Sequence, residues 1–170
     1  MPKKMLILID FQNDFIDGSL GTPEAQQIIP AVLKKLSEYS KDERIATMDT
    51  HGENYLSTQE GKYLPVIHTQ YKSHGWEIYP AAQVGFKYII EKSTFGSIEL
   101  AQLLLNEKVE EVELIGLDSD ICVISNAILI KNIAPEIKVM VSAHATAGTT
   151  PQKHENVLEV LKTLQVDIID

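Results

Sequence analysis

Cys122 is the only cysteine of the chain, and it lies in the run Gly116-Leu-Asp-Ser-Asp-Ile-Cys-Val-Ile-Ser, where a strand ends and a helix begins. A helix start presents unpaired backbone N–H groups and partial positive charge, so a thiol there is expected to ionise more readily and a neighbouring oxyanion to find donors. Both effects serve acyl transfer. A free thiol with a pKa of about 8.5 is only about 3% thiolate at neutral pH, and a drop of about 1.5 units would make it roughly half thiolate. That shift takes ~2 kcal/mol, within reach of a helix terminus plus one cation. The other use of such a residue is as a small buried hydrophobe, because free cysteine is among the most buried residue types.

A nucleophile needs a base. Asp10 closes the apolar run Leu-Ile-Leu-Ile and precedes Phe-Gln-Asn-Asp-Phe. A carboxylate at the end of a buried strand is partly desolvated, which raises its pKa and suits it to take a thiol proton. Lys92 ends Tyr-Ile-Ile-Glu and precedes Ser-Thr-Phe-Gly-Ser, so a cation stands at another strand end. It can hold a thiolate and a carboxylate in one pocket. Read singly, Asp10 fits a helix cap or loop brace better than a base, and Lys92 a solvated lysine beside Glu91.

A second set follows a different logic. Asp49-Thr-His51 places a carboxylate and an imidazole two residues apart, on the same side of an extended segment. Glu60, His68 and His74 follow, and a later histidine can complete a mixed nitrogen and oxygen site for zinc, iron or manganese. The bland alternative is a group of surface loop histidines. The glycines form neither G-x-G-x-x-G nor a P-loop, so nothing points to a phosphate cradle.

These residues must be positioned by a scaffold. Runs rich in Ile, Val and Leu alternate with amphipathic segments, the pattern of strands and helices around a mostly parallel sheet. The expected strands are Met5–Asp10, Arg44–Met48, Lys87–Glu91, Val112–Gly116, Lys138–Ser142 and Val166–Ile169. The expected helices are Pro23–Tyr39, Ser97–Asn106, Asp120–Ile133 and Pro151–Leu164, with Thr22-Pro23 and Thr150-Pro151 reading as N-caps before a first-turn proline. This order predicts an α/β, doubly wound, six-stranded sheet with helices on both faces, a Rossmann-like arrangement. Ligands in such sheets bind beyond the carboxyl ends of the strands, where Asp10, Asp49, His51, Lys92, the Asp118–Cys122 loop and His144 are all expected. The stretch 50–84 has neither period and reads as a long functional loop.

At 170 residues the chain fits one domain, 1–170, able to bury a core without disulfides. A single cysteine rules out an intrachain disulfide and agrees with a reducing, cytoplasmic setting. A formal charge of -9 argues against a nucleic-acid partner, and no apolar run is long enough for a membrane span.

Taken in order, Asp10-Phe-Gln-Asn-Asp-Phe, Asp49-Thr-His51, Lys92-Ser-Thr-Phe-Gly-Ser and Gly116-Leu-Asp-Ser-Asp-Ile-Cys122-Val resemble the isochorismatase-like cysteine hydrolases over nearly the whole chain. The D-x-H pair with a following histidine resembles the nicotinamidase/pyrazinamidase branch, whose members hydrolyse nicotinamide to nicotinate and ammonia. The resemblance implies a catalytic triad of Asp10, Lys92 and Cys122, and one divalent metal, zinc or else iron or manganese, on Asp49, His51 and His68. His68 rather than His74 matches, because Gly75 and Pro80 follow it as in the family; Glu60 stands where some members add a carboxylate ligand. It further implies a cis peptide before Asp118, whose N–H would join that of Cys122 in an oxyanion hole, and an aromatic wall from Phe15. The expected partner is a small carboxamide, and apolar helix faces leave room for a homo-oligomer. Asp118 replaces a usually small residue, and Pro65 stands where many nicotinamidases carry a tryptophan. Another amide, ureido or enol-ether hydrolase of the superfamily, or a catalytically silent metal-binding member, is the alternative reading.

Overall fold

In the computed structural model, which describes residues 1–170, the first strand β1 (Lys4–Ile9) is buried at every position after its first. Successive side chains of a strand point to opposite faces, so this run can feed two cores. Leu6 and Leu8 join one cluster of 17 buried residues, while Met5, Ile7 and Ile9 join another of 22. Full burial of each aliphatic side chain is worth roughly 1.5–3 kcal/mol, which fixes β1 at the centre.

Around it lie β2 (Arg44–Asp49), β3 (Tyr88–Lys92), β4 (Glu111–Leu117), β5 (Lys138–Ala147) and β6 (Asp167–Ile169). The six strands form one sheet in the order β3-β2-β1-β4-β5-β6, and every pairing is parallel. The chain builds outward from β1 to β3 and then crosses back to start β4 beside β1. That reversal opens a crevice beyond the carboxyl ends of the two strands.

Helices α1 (Asn13–Ile16), α2 (Pro23–Gln27) and α3 (Ile29–Glu38) pack on the face of Leu6 and Leu8, through Ile16, Ala25, Val32 and Leu36. Helix α4 (Gln59–Tyr63) lies in the long loop after β2. On the opposite face α5 (Ile98–Asn106), α6 (Ile124–Ile133) and α7 (Pro151–Thr163) contribute Leu100, Leu104, Ile130, Val157 and Leu161. Thr22 and Thr150 do cap their helices, accepting from the N–H groups of Ala25 at 3.0 Å and Lys153 at 3.2 Å.

Three expectations need correction. The helix expected over Pro23–Tyr39 is two helices that break at Ile28, since Pro30 has no N–H for the carbonyl of Gln26 and its ring crowds that turn. The helix expected from Asp120 begins as a π turn, Ser119–Val123, and becomes α-helical only at Ile124. The fifth strand runs on to Ala147 through a register shift opposite Leu114/Gly116. Ser142 stabilises that irregular stretch, its hydroxyl accepting from Ala145 N–H at 3.3 Å and its carbonyl accepting from Thr146 Oγ1 at 2.8 Å. His144 therefore points outward, its side chain 79% exposed beside Asp170, and not toward the crevice.

Candidate active site

Asp10 is the first residue after β1, fully buried, with φ of 44°. Left-handed backbone at a non-glycine residue is held only where the surroundings demand it. Here Thr47 on β2 accepts its N–H and donates Oγ1 to its Oδ1 at 2.6 Å. Lys92, the last residue of β3, sets Nζ 2.6 Å from Oδ2 of Asp10 and 4.0 Å from Oδ1 of Asp49, and donates to the carbonyl of Thr94 at 3.0 Å. Burial raises the Asp10 carboxyl against the opposing pull of Lys92. Burial would discharge Lys92, but Asp10, Cys122 and Asp49 outweigh it and keep the ammonium charged. Removing either partner would leave a buried charge unpaired.

Cys122 is buried in the π turn that follows β4. The turn closes with Val123 N–H on the carbonyl of Asp118 at 3.1 Å, and Asn126 ties the Cys122 carbonyl from one turn on, at 2.8 Å. π turns are rare and often mark functional positions. Gly116, at φ of 111°, redirects the chain into this loop; a Cβ there would lie 2.2 Å from the carbonyl oxygen of Ile9. Two expectations fail at this point. The bond before Asp118 is trans, as is every peptide bond in the chain, the form that a non-proline residue strongly favours. The thiol is not activated by its position either: burial first and the Asp10 carboxylate second push its pKa well above normal, and Lys92 only partly offsets them. At rest Cys122 is a neutral thiol facing a base.

The second set gathers on the other side of Lys92. His51 Nε2 lies 3.0 Å from Asp49 Oδ2, and His68 Nε2 lies 3.5 Å from the same oxygen. Glu60 Oε1 lies 3.5 Å and 3.6 Å from those two nitrogens. One donor atom from each of Asp49, His51 and His68 falls within 4.8 Å of the others, and all three residues are buried. Burial would discharge the imidazoles, but the adjacent Asp49 and Glu60 carboxylates lift His51 to about 9 and His68 to about 10. Burial works against the carboxylates too, yet the imidazoles pull Glu60 down to about 2 and, with Lys92, hold Asp49 well below the usual carboxylate range.

These residues fit a metal by a direct observation. His51 Nε2 is buried without a hydrogen-bond partner, and His68 is oriented by its Nδ1, 2.7 Å from the carbonyl of Val66, so that Nε2 faces the carboxylates. Two imidazoles and two carboxylates form a borderline donor set suited to zinc, iron or manganese. His74, by contrast, is 82% exposed beside Glu77 and belongs to no such cluster.

A cavity of ≈ 410 Å³ joins the two sets, with Cys122 and Asp118 on one wall, Asp49, Glu60 and His68 on another, and Phe15 beside them. Phe15 meets the His68 ring edge-on at 5.7 Å. A wider groove of ≈ 840 Å³ continues from Glu60 and Phe95 past His51 and Tyr55. Burial, then Asp120 and Asp10, raise the Asp118 carboxyl to about 7.

Several supporting residues escape a reading of the sequence. Gln12 brackets Asp49, donating to its carbonyl and accepting its N–H, both at 2.8 Å. Thr69, at φ of 44°, donates to Asp49 Oδ2 at 2.8 Å, and Tyr55 packs against both imidazoles, tilted to His51 and edge-on to His68. Only Asn126 carried a signal, four residues after Cys122 on a helical spacing.

Among known proteins, the chain is similar to an uncharacterised isochorismatase family protein of Bacillus subtilis, 26% identical over 168 residues that cover 89% of this chain and 90% of the relative. It is similar in structure to the pyrazinamidase of Pyrococcus horikoshii solved in complex with zinc, 28% identical with a TM-score of 0.80 and 99% of each chain covered. It is likewise similar to the pyrazinamidase/nicotinamidase of Streptococcus mutans, 26% identical with a TM-score of 0.85, covering 98% of this chain and 99% of that one. The isochorismatase domain model matches residues 4–170, and the chain belongs to the isochorismatase family.

Proposed function

We propose that this chain is a single-domain, metal-dependent nicotinamidase that hydrolyses nicotinamide to nicotinate and ammonia through a cysteine thioester. The observation that carries the reading is one cavity walled by a buried thiol beside an Asp–Lys pair and by Asp49 and His68, two members of the three-residue nitrogen and oxygen donor set that His51 completes. Similarity to solved pyrazinamidases and nicotinamidases, one of them holding zinc, supports it.

In this reading Asp10 removes the Sγ proton as Cys122 attacks the carboxamide carbon, forming the S–C bond. Lys92 keeps Asp10 oriented and offsets the negative charge that builds beside it. The Cys122 N–H is assigned to the oxyanion; the trans bond before Asp118 removes the geometry by which its N–H was expected to join. The C–N bond then breaks, with Asp10 returning the proton to the departing nitrogen as ammonia. Asp10 next takes a proton from water, the water oxygen attacks the thioester carbon, and the thiolate leaves and is reprotonated. Asp49, His51 and His68, with Glu60, would hold a divalent ion, which supplies a Lewis-acid contact for the ring nitrogen and so fixes the ring against Phe15. A soluble cytoplasmic setting suits a small diffusible substrate, and no helix is long and apolar enough to cross a membrane.

Ammonia release from nicotinamide, measured before and after chelation and after zinc, iron or manganese is restored, tests the proposal. Turnover that is lost with the metal and regained on its return is expected; no release at millimolar nicotinamide overturns the reading.

A further inference from the structure

The π turn that carries Cys122 is tied at two neighbouring residues to one foreign element, the start of α7. Asp120 accepts from the Thr149 N–H at 2.8 Å through Oδ1 and from the Thr149 hydroxyl at 2.6 Å through Oδ2. Ser119, fully buried, lies with Oγ 2.8 Å from Nδ1 of His154, whose Nε2 lies 3.2 Å from the carbonyl of Ala143. A carbonyl only accepts, so Nε2 carries the proton, Nδ1 is the acceptor, and the Ser119 hydroxyl donates to it. Gly148 closes the same junction: a Cβ there would lie 2.9 Å from His154 N, 3.0 Å from Ser119 Oγ and 3.1 Å from Asp120 Oδ1. π turns are rare and frequently sit at functional sites, and this one is buttressed from outside at two successive residues.

We propose that the Ser119–His154 and Asp120–Thr149 contacts are a clamp that fixes the attacking position of Cys122, with His154 the positioning residue that does so through Ser119. None of these four residues is assigned a step in the reaction. Their effect is on the reach between Sγ and Asp10, and a misplacement of about 1 Å at a reacting atom costs about a hundredfold in rate.

The inference rests on Cys122 as nucleophile, and two different substitutions separate positioning from simple packing. His154→Asn keeps an acceptor at the place of Nδ1 and loses the tie to Ala143, whereas His154→Gln reaches Ala143 and loses the acceptor facing Ser119. Each variant is assayed for kcat and KM with nicotinamide, for thermal midpoint, and for the rate at which iodoacetamide alkylates Cys122, the only thiol present. The alkylation arm needs no turnover, so it reports on the clamp even if nicotinamide proves not to be the substrate. We expect His154→Gln and Ser119→Ala to lower kcat about tenfold or more with KM within about twofold. Both should shift the alkylation rate in the same direction by about threefold or more, while His154→Asn stays within about twofold of the parent. Equal losses in His154→Asn and His154→Gln, or retention of kcat and alkylation rate by His154→Gln, would overturn the clamp.

Discussion

The two halves of the site are held in place by different means. Asp10 and Lys92 end strands, and their separation is set by sheet register: Asp49 pairs with Lys92, and β1 and β2 are locked from Leu6↔Arg44 to Ile9↔Thr47. On the metal side only Asp49 shares that register. His51, Glu60 and His68 sit on the loop after β2, tethered by Thr69 N–H to Asp14 at 2.7 Å, by His51 N–H to the Thr69 carbonyl at 3.0 Å, and by the bridge between His51 and Gln70. The comparison teaches that the Asp–Lys pair assigned to proton transfer is set by the central sheet, while the half assigned to ring recognition hangs on a few loop hydrogen bonds. Substitutions on the two sides should therefore separate chemistry from metal affinity.

The largest effect is expected from Asp10→Asn, which keeps shape and removes the base. Turnover should fall about a thousandfold while the bound metal per chain, read by elemental analysis, is unchanged. Loss of metal in that variant would erase the distinction between the halves. His51→Ala should do the reverse, weakening metal binding by about a hundredfold or more in a competition titration while Cys122 alkylation stays at the parental rate. Thr69→Val, which cuts the tether on Asp49 while leaving every proposed ligand residue unchanged, should lower metal affinity by about tenfold in the same titration. The smallest effect concerns Asp118, whose carboxyl is raised to about 7 and is therefore ionised above that pH. The added negative charge opposes an oxyanion in the same cavity, so kcat should decline as pH rises through about 7. Asp118→Asn should remove that decline and raise the rate at alkaline pH by about threefold. An unchanged pH profile would place Asp118 outside the reacting region.

The doubly wound sheet and the strand-end residues were legible because each rests on a local pattern: an apolar run, then polar residues where the run stops. Asp10, Asp49 and Lys92 all follow that rule. The choice of His68 over His74 was not legible from the residues alone and came only through the family's spacing; the structure buries one and exposes the other. What failed did so for tertiary reasons. The raised pKa of Cys122 comes from burial and from a carboxylate over a hundred residues away in sequence, which no local helix-terminus argument contains. The outward turn of His144 comes from a register shift between β4 and β5 that leaves no mark on the alternation of side chains. Thr47, Thr69 and Gln12 are ordinary polar residues in the sequence, and only the fold gives them their partners.

The central claim is that Cys122 carries the acyl group between two steps. Rapid acid quenching of the metal-loaded protein during turnover of nicotinamide, followed by mass spectrometry of the Cys122 peptide, tests it most directly. The account predicts a nicotinoyl thioester on Cys122 that vanishes once substrate is exhausted, and neither adduct nor ammonia from Cys122→Ala. Continued ammonia release by Cys122→Ala at the parental rate would contradict it.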